Sequence, residues 1–251
     1  MAYKEITFYA LGSLNVLTIY NYDDSHIDEI LDGIVERIRR IDLAINQEAS
    51  NSEVSQINKY AGIKMVKVSF DTLQIIEKGR EYALKTGGLF DLIHARRRLL
   101  FKAKCNPSDI LIDGYYVGLK KKGQMIDLRD LAKGYCADLT KSLLMQEGIS
   151  EAVIRIDNHV VTLGKKRKIG IHDPFKKDRR LGLLEVKDQA VVTSMNDEQA
   201  ITLVTDSALA GDIYSKIWGN GHLLDTDHLV ILNDGRFYMS NQFRKMFIQE
   251  V

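Results

Sequence analysis

The chain has 251 residues, 45% of them hydrophobic, and this apolar content is enough to bury a substantial core, so disorder is not expected. Its 35 Lys and Arg residues balance 34 Asp and Glu residues, which gives a formal net charge of +1. Near-neutrality excludes a global electrostatic field that would by itself attract nucleic acid or an anionic membrane, so any partner must be inferred from local sites.

The first predicted elements are two strands and two helices. Residues 3–20 are rich in β-branched and aromatic residues around Gly12-Ser13, which indicates two paired strands. A helix follows its expected capping residue Ser25, because apolar residues between positions 27 and 41 recur with a period of 3.6. A second helix is predicted over residues 71–85 and ends before Gly87-Gly88, a pair that favours the left-handed conformation found beyond helix ends.

The second half of the chain changes from helix to strand. A third helix begins near Asp130 and ends at Gly148. Short β-branched runs then predict a mostly antiparallel sheet; they cover residues 152–163, 168–171, 181–186, 190–194 and 201–205. A last helix over residues 208–218 precedes a hairpin with the turn Asn233-Asp234-Gly235. The expected fold is α+β, with mixed helices and a mostly antiparallel sheet, in a single domain over residues 1–251.

The segment over residues 126–135 places two carboxylates and a lysine at the end of a strand and the first turn of a helix. Such a helix start has free N–H groups and a positive dipole end, which favour a phosphate or pyrophosphate. Lys133 would add a point charge to the phosphate, and Asp127 and Asp130 would accept from a sugar, a ring N–H or a divalent cation. The alternative is that Asp130 is an ordinary acidic N-cap and Lys133 is solvated, and the segment alone leaves both open.

Other local signals point to ordinary surface and core positions. Four basic clusters, at residues 96–98, 120–122, 165–168 and 176–180, lie at predicted turns without interleaved aromatics, so we interpret them as solvated loops and expect no nucleic-acid partner. Cys105 and Cys136 fit no metal spacing, and His172 and His222 fit turn positions. No run approaches about 18 apolar residues, so we expect a cytoplasmic chain without a membrane segment, unless an export segment has been removed.

Seven short motifs follow one family in order along nearly the whole chain. The sequence resembles the FAD:protein FMN transferases of the ApbE type on these segments: residues 11–13 (LGS), 52–58 (SEVSQIN), 86–91 (TGGLFD), 126–138 (IDLRDLAKGYCAD), 169–174 (IGIHDP), 192–194 (VTS) and 210–216 (AGDIYSK). Each motif is weak alone, but seven in family order are not expected by chance.

The resemblance implies an activity and a set of site residues. Such enzymes use a divalent metal, usually magnesium, to move FMN from FAD onto a Ser or Thr of a partner protein, and they are often exported lipoproteins. Carried over to this chain, the flavin nucleotide site comprises Leu11, Glu48, Leu89, Phe90, Asp91, Asp127 and Lys133. The metal ligands would be the main-chain carbonyl of Asp130, the carboxylate of Asp212 and, beside it, Ser215. The ion would bridge the pyrophosphate as the P–O bond breaks.

The chain also departs from the family pattern. Between Gln199 and Ile201 it lacks a His-Ile-Asp-Pro-Arg-Thr-Gly segment that in the family closes over FAD and carries a candidate catalytic histidine, so no catalytic residue is assigned. Larger residues replace small ones at Asp130, at Met195 and at residues 157–159 (DNH), where each is expected to crowd the pocket.

Two further departures concern the flavin and the metal. Glu48 replaces an aromatic residue, and the segment after Asp91 lacks the family's Pro and Gly, which is expected to weaken flavin stacking. Lys216 replaces a threonine that helps to hold the ion, and an ammonium cannot bind a cation. Lys216 is four residues after Asp212 on the same helical face, so it either forms an ordinary ion pair or supplies part of the metal's charge.

Two hypotheses stay open at this point. In the first, the chain is an enzyme that handles FAD, as a transferase to protein or as a hydrolase that releases FMN and AMP. In the second, it is a non-catalytic descendant that keeps the fold as a flavin-binding or protein-interaction module. We favour the enzyme because the family is so strongly enzymatic, although the missing histidine segment supports the second hypothesis.

Overall fold

The computed structural model describes residues 3–22, 26–95, 106–176, 179–219 and 225–249. Several sequence predictions lie outside these residues: the cap Ser25, the basic cluster 96–98, Cys105, His222 and the middle of the cluster 176–180. In chain order the elements are β1 (Tyr3–Ala10), β2 (Ser13–Tyr20), α1 (Ile27–Ile45), α2 (Glu53–Lys59), β3 (Val66–Lys67), α3 (Phe70–Lys85), β4 (Ile93–Ala95), a short 3-10 helix (Pro107–Asp109), β5 (Ile110–Asp113), β6 (Tyr116–Leu119), β7 (Gln124–Ile126), α4 (Arg129–Gln146), β8 (Ala152–Ile156), β9 (His159–Leu163), β10 (Arg167–His172), β11 (Arg180–Val186), β12 (Ala190–Met195), β13 (Gln199–Thr205), α5 (Ala208–Gly219), β14 (Asp227–Leu232), β15 (Phe237–Met239), α6 (Asn241–Met246) and β16 (Phe247–Gln249).

The chain forms two compact units. The first unit contains Met1–Val35 and Lys133–Val251, and the second contains Glu36–Ala132. The boundaries fall within α1 and α4. The predicted α+β fold with a mostly antiparallel sheet is confirmed, whereas the prediction of a single domain stays a prediction.

The first unit is built on an eight-stranded sheet in the order β1-β2-β8-β9-β12-β13-β14-β15. Its neighbouring strands pair antiparallel. The β1–β2 and β14–β15 turns match the predicted positions, whereas the predicted run 152–163 divides at residues 157–158 into β8 and β9. Helix α5 packs against β12 and β13, while β10, β11 and β16 form a second, smaller sheet. Branched apolar residues from both sheets, among them Ile171 and Leu184, form one core cluster together with Phe243 of α6. This burial provides most of the driving force for the unit.

The second unit holds α2 and α3 with two small sheets, β3-β6-β5 and β4-β7. Helix α3 ends as predicted: Gly87 and Gly88 have φ angles of 62° and 83°, and the Gly88 N–H donates to the Ala83 carbonyl at 2.9 Å. That bond satisfies one of the carbonyls that a helix end leaves free. Residues 89–91 therefore leave the helix at a fixed point.

Helix α5 was predicted as the last helix, and this is wrong. Helix α6 follows the 227–239 hairpin and begins behind Ser240, whose hydroxyl accepts from the Phe243 N–H at 3.2 Å. Phe243 is fully buried. With only six residues, α6 is too short for a periodic pattern, so its capping serine was its main sequence signal.

Candidate functional site

The end of strand β7 is fixed by two amide side chains of the second unit. Asn58 pairs with the backbone of Ile126 in both directions, because its Oδ1 accepts from the Ile126 N–H at 2.7 Å and its Nδ2 donates to the Ile126 carbonyl at 3.0 Å. The Gln47 amide donates to the same carbonyl at 3.0 Å. These bonds satisfy the backbone where the strand ladder stops, and they set the position of Asp127.

Asp127 has a cationic partner two residues along the chain. Its carboxylate accepts from Arg129 Nη2 at 2.7 Å, from Nε at 3.1 Å and from the Arg129 backbone N–H at 3.0 Å. The hydrogen bond that Arg129 donates to Asp127, followed by the charge of that carboxylate, raises the pKa of Arg129. Sequence reasoning placed Asp127 at this turn but missed Arg129. Asp130 lies exposed in the first turn of α4, where its charge suits the helix dipole, rather than at the N-cap.

A cleft of about 340 Å³ in the second unit adjoins strand β7 and is lined by Gln47, Glu48, Ser50, Ser55, Asn58, Lys59 and Met125. The Glu48 side chain is exposed, and its backbone N–H donates to Asn46 Oδ1 at 2.9 Å. Six of these seven lining residues have polar side chains, among them one carboxylate and one ammonium. Glu48 thus lies in a cleft with several hydrogen-bonding groups.

The three residues after Gly88 have different environments. Leu89 is 41% exposed, whereas Phe90 is buried and its N–H donates to Thr86 Oγ1 at 3.3 Å. Asp91 Oδ1 accepts from the Ile93 N–H at 2.9 Å, which closes an Asx turn before β4. Among these predicted flavin contacts, Leu89 presents its side chain to solvent and Phe90 belongs to the core.

In the first unit, Lys133 forms an ion pair with Asp157, with Nζ and Oδ2 2.6 Å apart. Asp157 is in the two-residue turn between β8 and β9, at a φ of 52°, and its N–H donates to Asn15 Oδ1 at 3.1 Å. Asn15 is fully buried and donates to the Ala10 carbonyl at 3.1 Å, which ties the β8–β9 turn to the β1–β2 turn. Leu11 is buried in that second turn at a φ of 56°.

A buried histidine holds the carboxylate of Asp212. His159 Nε2 is 2.6 Å from Asp212 Oδ1, and the backbone N–H of Gly134 donates to Asp212 Oδ2 at 3.2 Å. His159 Nδ1 is 3.0 Å from the Ile156 carbonyl, and the imidazole is almost fully buried. Burial acts most strongly and lowers the pKa of His159, but the hydrogen bond and charge of Asp212, with the Ile156 carbonyl, together raise it above its ordinary value. Sequence reasoning gave His159 no such role.

Helix α5 is positioned by two residues of α4. Asp138 Oδ1 accepts from the Ala208 N–H at 2.8 Å, and its Oδ2 accepts from the Leu209 N–H at 3.0 Å, so Asp138 caps α5 across the fold. Burial raises the pKa of Asp138, and these donors oppose the shift. A Cβ on Gly134 would lie 2.6 Å from Asp212 Oδ2 and 2.8 Å from Leu209 Cα. Only glycine therefore lets the two helices approach this closely.

The sequence model of the ApbE family matches residues 11–219. The chain belongs to the ApbE family. It is 24% identical over 254 aligned residues to a FAD:protein FMN transferase of Klebsiella pneumoniae (strain 342), a match that covers 82% of this chain and 79% of that protein. It is 21% identical over 224 residues to a FAD:protein FMN transferase of Treponema pallidum (strain Nichols), covering 73% of this chain and 62% of that longer protein.

Solved ApbE structures share the fold. The protein from Thermotoga maritima superposes with a TM-score of 0.78 at 19% identity, covering 99% of this chain and all (100%) of that one. The apo flavinyl transferase ApbE of Pseudomonas stutzeri gives a TM-score of 0.79 at 16% identity, with coverages of 100% and 98%. At this level of identity the likeness shows the fold alone.

Two of the predicted metal ligands of this ApbE-family chain, Asp212 and Ser215, already have hydrogen-bond partners, and the assignment stays a prediction. Both oxygens of the Asp212 carboxylate have donors, one of them a buried imidazole. The Ser215 hydroxyl is buried and donates to the main-chain carbonyl of Asp212 at 2.9 Å. We weighed Lys216 as the partner of Asp212 and missed His159. Within the described residues, no group of three or more His, Cys, Asp or Glu side chains is arranged to hold a metal ion.

The position predicted for the missing ApbE histidine segment, between Gln199 and Ile201, lies at the start of strand β13, directly after a tight turn. Strands β12 and β13 are joined by three residues, 196–198, and Asn196 Oδ1 accepts from the N–H groups of Glu198 and Gln199 at 3.0 and 2.9 Å. Met195, just before the turn, is exposed. Across the described residues, no helix combines the length and the hydropathy that a membrane span requires.

Proposed function

We propose that this ApbE-family chain binds FAD and transfers its FMN part to a Ser or Thr hydroxyl of a partner protein. The observation that carries the proposal is the family match over residues 11–219, which includes every sequence-predicted site residue. The two curated relatives named above, both FAD:protein FMN transferases, support the same substrate.

The reaction exchanges one phosphoanhydride bond for a phosphoester. The acceptor oxygen attacks the phosphorus of the FMN part, its proton is released, and the P–O bond to AMP breaks, so that AMP leaves with the bond electrons. Attack by water in place of the hydroxyl would give free FMN and AMP. In either case catalysis depends on positioning and on stabilising charge at the pyrophosphate.

The residue assignments remain predictions. We propose as flavin nucleotide residues Leu11, Glu48, Leu89, Phe90, Asp91, Asp127 and Lys133. Lys133 would bind phosphate by exchanging its partner Asp157 for the ligand, since its side chain is 25% exposed. Asp127 would likewise share its carboxylate between Arg129 and a donor of the ligand.

Magnesium has no role in the reaction that we propose. The resemblance assigns the ion to Asp130, Asp212 and Ser215, but the Asp212 carboxylate has His159 as its partner and the Ser215 hydroxyl bonds within its own helix. Positive charge at the pyrophosphate would then come from side chains such as Lys133.

A second candidate function is a flavin-binding or protein-interaction module without catalysis. The observation that favours it is that Gln199 to Ile201, where the segment with the family's candidate acid-base histidine is missing, belong to strand β13, which follows a three-residue turn at 196–198. Without one acid-base group, turnover falls by about 10²- to 10⁴-fold. We therefore expect slow transfer rather than none.

Two measurements test the proposal in order. The first is thermal unfolding with FAD, which should raise the melting temperature because a ligand selective for the folded state stabilises it. Lys133→Ala should reduce the shift, whereas Lys141→Ala, on the same helix with Nζ bonded to the Asp188 carbonyl, should leave it unchanged. No shift with wild-type protein at millimolar FAD would reject flavin binding.

The second measurement uses chromatography to detect AMP released from FAD, with and without an acceptor protein. AMP together with FMN on the acceptor supports the transferase, and AMP with free FMN supports the hydrolase. A clear thermal shift without any AMP after prolonged incubation would support the non-catalytic module.

A further inference from the structure

Strand β1 forms one edge of the eight-stranded sheet, and among the described strands it pairs only with β2. Proteins protect such edges with short strands, bulges, prolines or charges, because an open edge offers its N–H and C=O groups to another strand. The opposite edge strand, β15, is short, with three residues. Strand β1 has eight residues in continuous register from Tyr3 to Ala10, without a bulge or a proline. Three of these four protections are therefore absent from β1.

The two charged residues of β1 have partners in their own chain. Lys4 forms an ion pair with Asp28 of α1. Glu5 is exposed, and its Oε2 accepts from the Thr18 hydroxyl of β2 at 3.1 Å. Lys4 is thus neutralised, and Glu5 is the charge of β1 that a second strand would have to match.

The β1–β2 turn determines which main-chain groups of β1 face the open edge. Leu11 and Gly12, at φ angles of 56° and 74°, form a two-residue turn, so the pair Ala10–Ser13 that flanks it is hydrogen-bonded. Hydrogen-bonded and non-hydrogen-bonded pairs alternate along an antiparallel ladder. The N–H and C=O groups that point away from β2 therefore belong to Tyr3, Glu5, Thr7 and Tyr9.

The side chains of these four residues share one exposed face of the strand. Tyr3 and Tyr9 are 61% and 66% exposed, and Leu14, opposite Tyr9 on β2, is 62% exposed. The Tyr3 ring lies beside that of Tyr20, with centroids 6.1 Å apart. Aromatic side chains stabilise a sheet through cross-strand neighbours, and a further strand at this edge would supply such neighbours for Tyr3 and Tyr9.

We propose that β1 pairs antiparallel with β1 of a second copy of this chain, about a two-fold axis at Ile6, so that the two large sheets become continuous. In this register Tyr3 lies opposite the partner's Tyr9, and Glu5 lies opposite the partner's Thr7. These residues carry the open main-chain groups, so each pair exchanges two hydrogen bonds. The surface is independent of the proposed flavin transfer, because it consists of β1 alone.

The neighbouring registers fit less well. An axis at Glu5 would place the two Glu5 carboxylates directly opposite each other, and like charges in that position destabilise a sheet. An axis at Thr7 would place Tyr3 opposite the partner's Leu11, beyond the end of the strand. The axis at Ile6 gives all four outward residues a partner of matching chemistry, and its two-fold symmetry is that of most dimers.

Sedimentation equilibrium of the full chain, from micromolar to millimolar concentration, tests the proposal. Wild type should dimerise. Thr7→Glu places a carboxylate opposite Glu5 at two symmetric positions, so the dissociation constant should rise by about tenfold or more. The double variant Glu5→Lys/Thr7→Glu places an ammonium opposite each new carboxylate and should restore the dimer. Tyr238→Glu is the matched control, because Tyr238 is 54% exposed on the other edge strand, and it should dimerise as wild type does.

A wild-type chain that stays monomeric at millimolar concentration would overturn the proposal. A dimer that folded Thr7→Glu leaves intact would overturn it as well, because the dimer would then form through another surface. Failure of the folded double variant to recover the dimer would contradict the register.

A cysteine cross-link tests the same register if a charge variant does not fold. Ile6→Cys places two thiols across the two-fold axis, where the Cα atoms of a non-hydrogen-bonded pair lie about 4.5 Å apart, within the range of a disulfide. Lys4→Cys is the control, because Lys4 would lie opposite the partner's Phe8. Mild oxidation should link Ile6→Cys into a dimer but not Lys4→Cys. Equal linking of the two variants, or no linking of either, would contradict the proposal.

Discussion

Replacing Gly134 by alanine tests how closely α4 must approach α5. The new Cβ would lie 2.8 Å from both the N and Cα atoms of Leu209, which are backbone atoms that cannot rotate away, and 2.6 Å from Asp212 Oδ2. Overpacking of this kind costs about 1–3 kcal/mol. Alanine also gains up to about 1 kcal/mol over glycine in a helix interior, so the net loss of stability is expected to reach about 2 kcal/mol.

Gly33→Ala is the matched control, because Gly33 is also inside a helix and a Cβ there meets nothing within 4 Å. It should keep the helix-propensity gain of up to about 1 kcal/mol. Urea unfolding followed by circular dichroism gives both values, provided that the m-value stays constant. The difference between the two variants isolates the collision, about 1–3 kcal/mol. Equal effects at the two glycines would refute the close approach of the helices at Gly134.

Three further predictions concern buried carboxylates, each measured by urea unfolding. Asp138→Ala removes the cap of α5 and should cost about 1–2 kcal/mol; no loss would mean that its bonds to α5 do not contribute. Lys121 and other donors lower the pKa of Asp109 below 3.8. The ionised Asp109 therefore contributes its full stabilisation above that pH, and this stabilisation is lost as the pH falls through the lower pKa of the folded state. In Asp109→Asn the free energy of unfolding should depend less on pH in this acid range than in wild type, and an identical pH profile would contradict the prediction. His159→Asn should lower the free energy of unfolding by about 3–5 kcal/mol, because it leaves the buried Asp212 carboxylate without its imidazole partner. The double variant with Asp212→Asn should recover much of this loss, and additive effects of the two substitutions would exclude a coupled pair.

Local signals predicted most of the secondary structure. The apolar stripe of α1 is buried at Leu31, Ile38 and Ile41, because a helix that packs on a core must repeat its apolar residues every 3.6 positions. The predicted end of α3 before Gly87-Gly88 is confirmed for a similar reason, since positive φ angles favour glycine. Both signals lie within a few residues, where the sequence determines the geometry directly.

The pairing of charges could not be predicted in the same way. Asp157 lies 24 residues after Lys133, and Asp212 lies 53 residues after His159, so only the tertiary packing of the unit brings these groups together. The capping of α5 by Asp138 spans about 70 residues and leaves no local pattern. Long-range partners of this kind decide whether a site carboxylate is available to a ligand or already neutralised. They are the part of the candidate site that a motif comparison misses.

The most direct test of the central claim is the intact mass of an acceptor protein after incubation with the chain and FAD, in EDTA and in magnesium. Slow addition of one FMN at the same rate in both buffers is the predicted result, with the adduct on a Ser or Thr and one AMP released for each. Absence of the adduct in both buffers would contradict the proposed transfer. An adduct that forms only with magnesium would support the transfer but contradict a reaction in which magnesium takes no part.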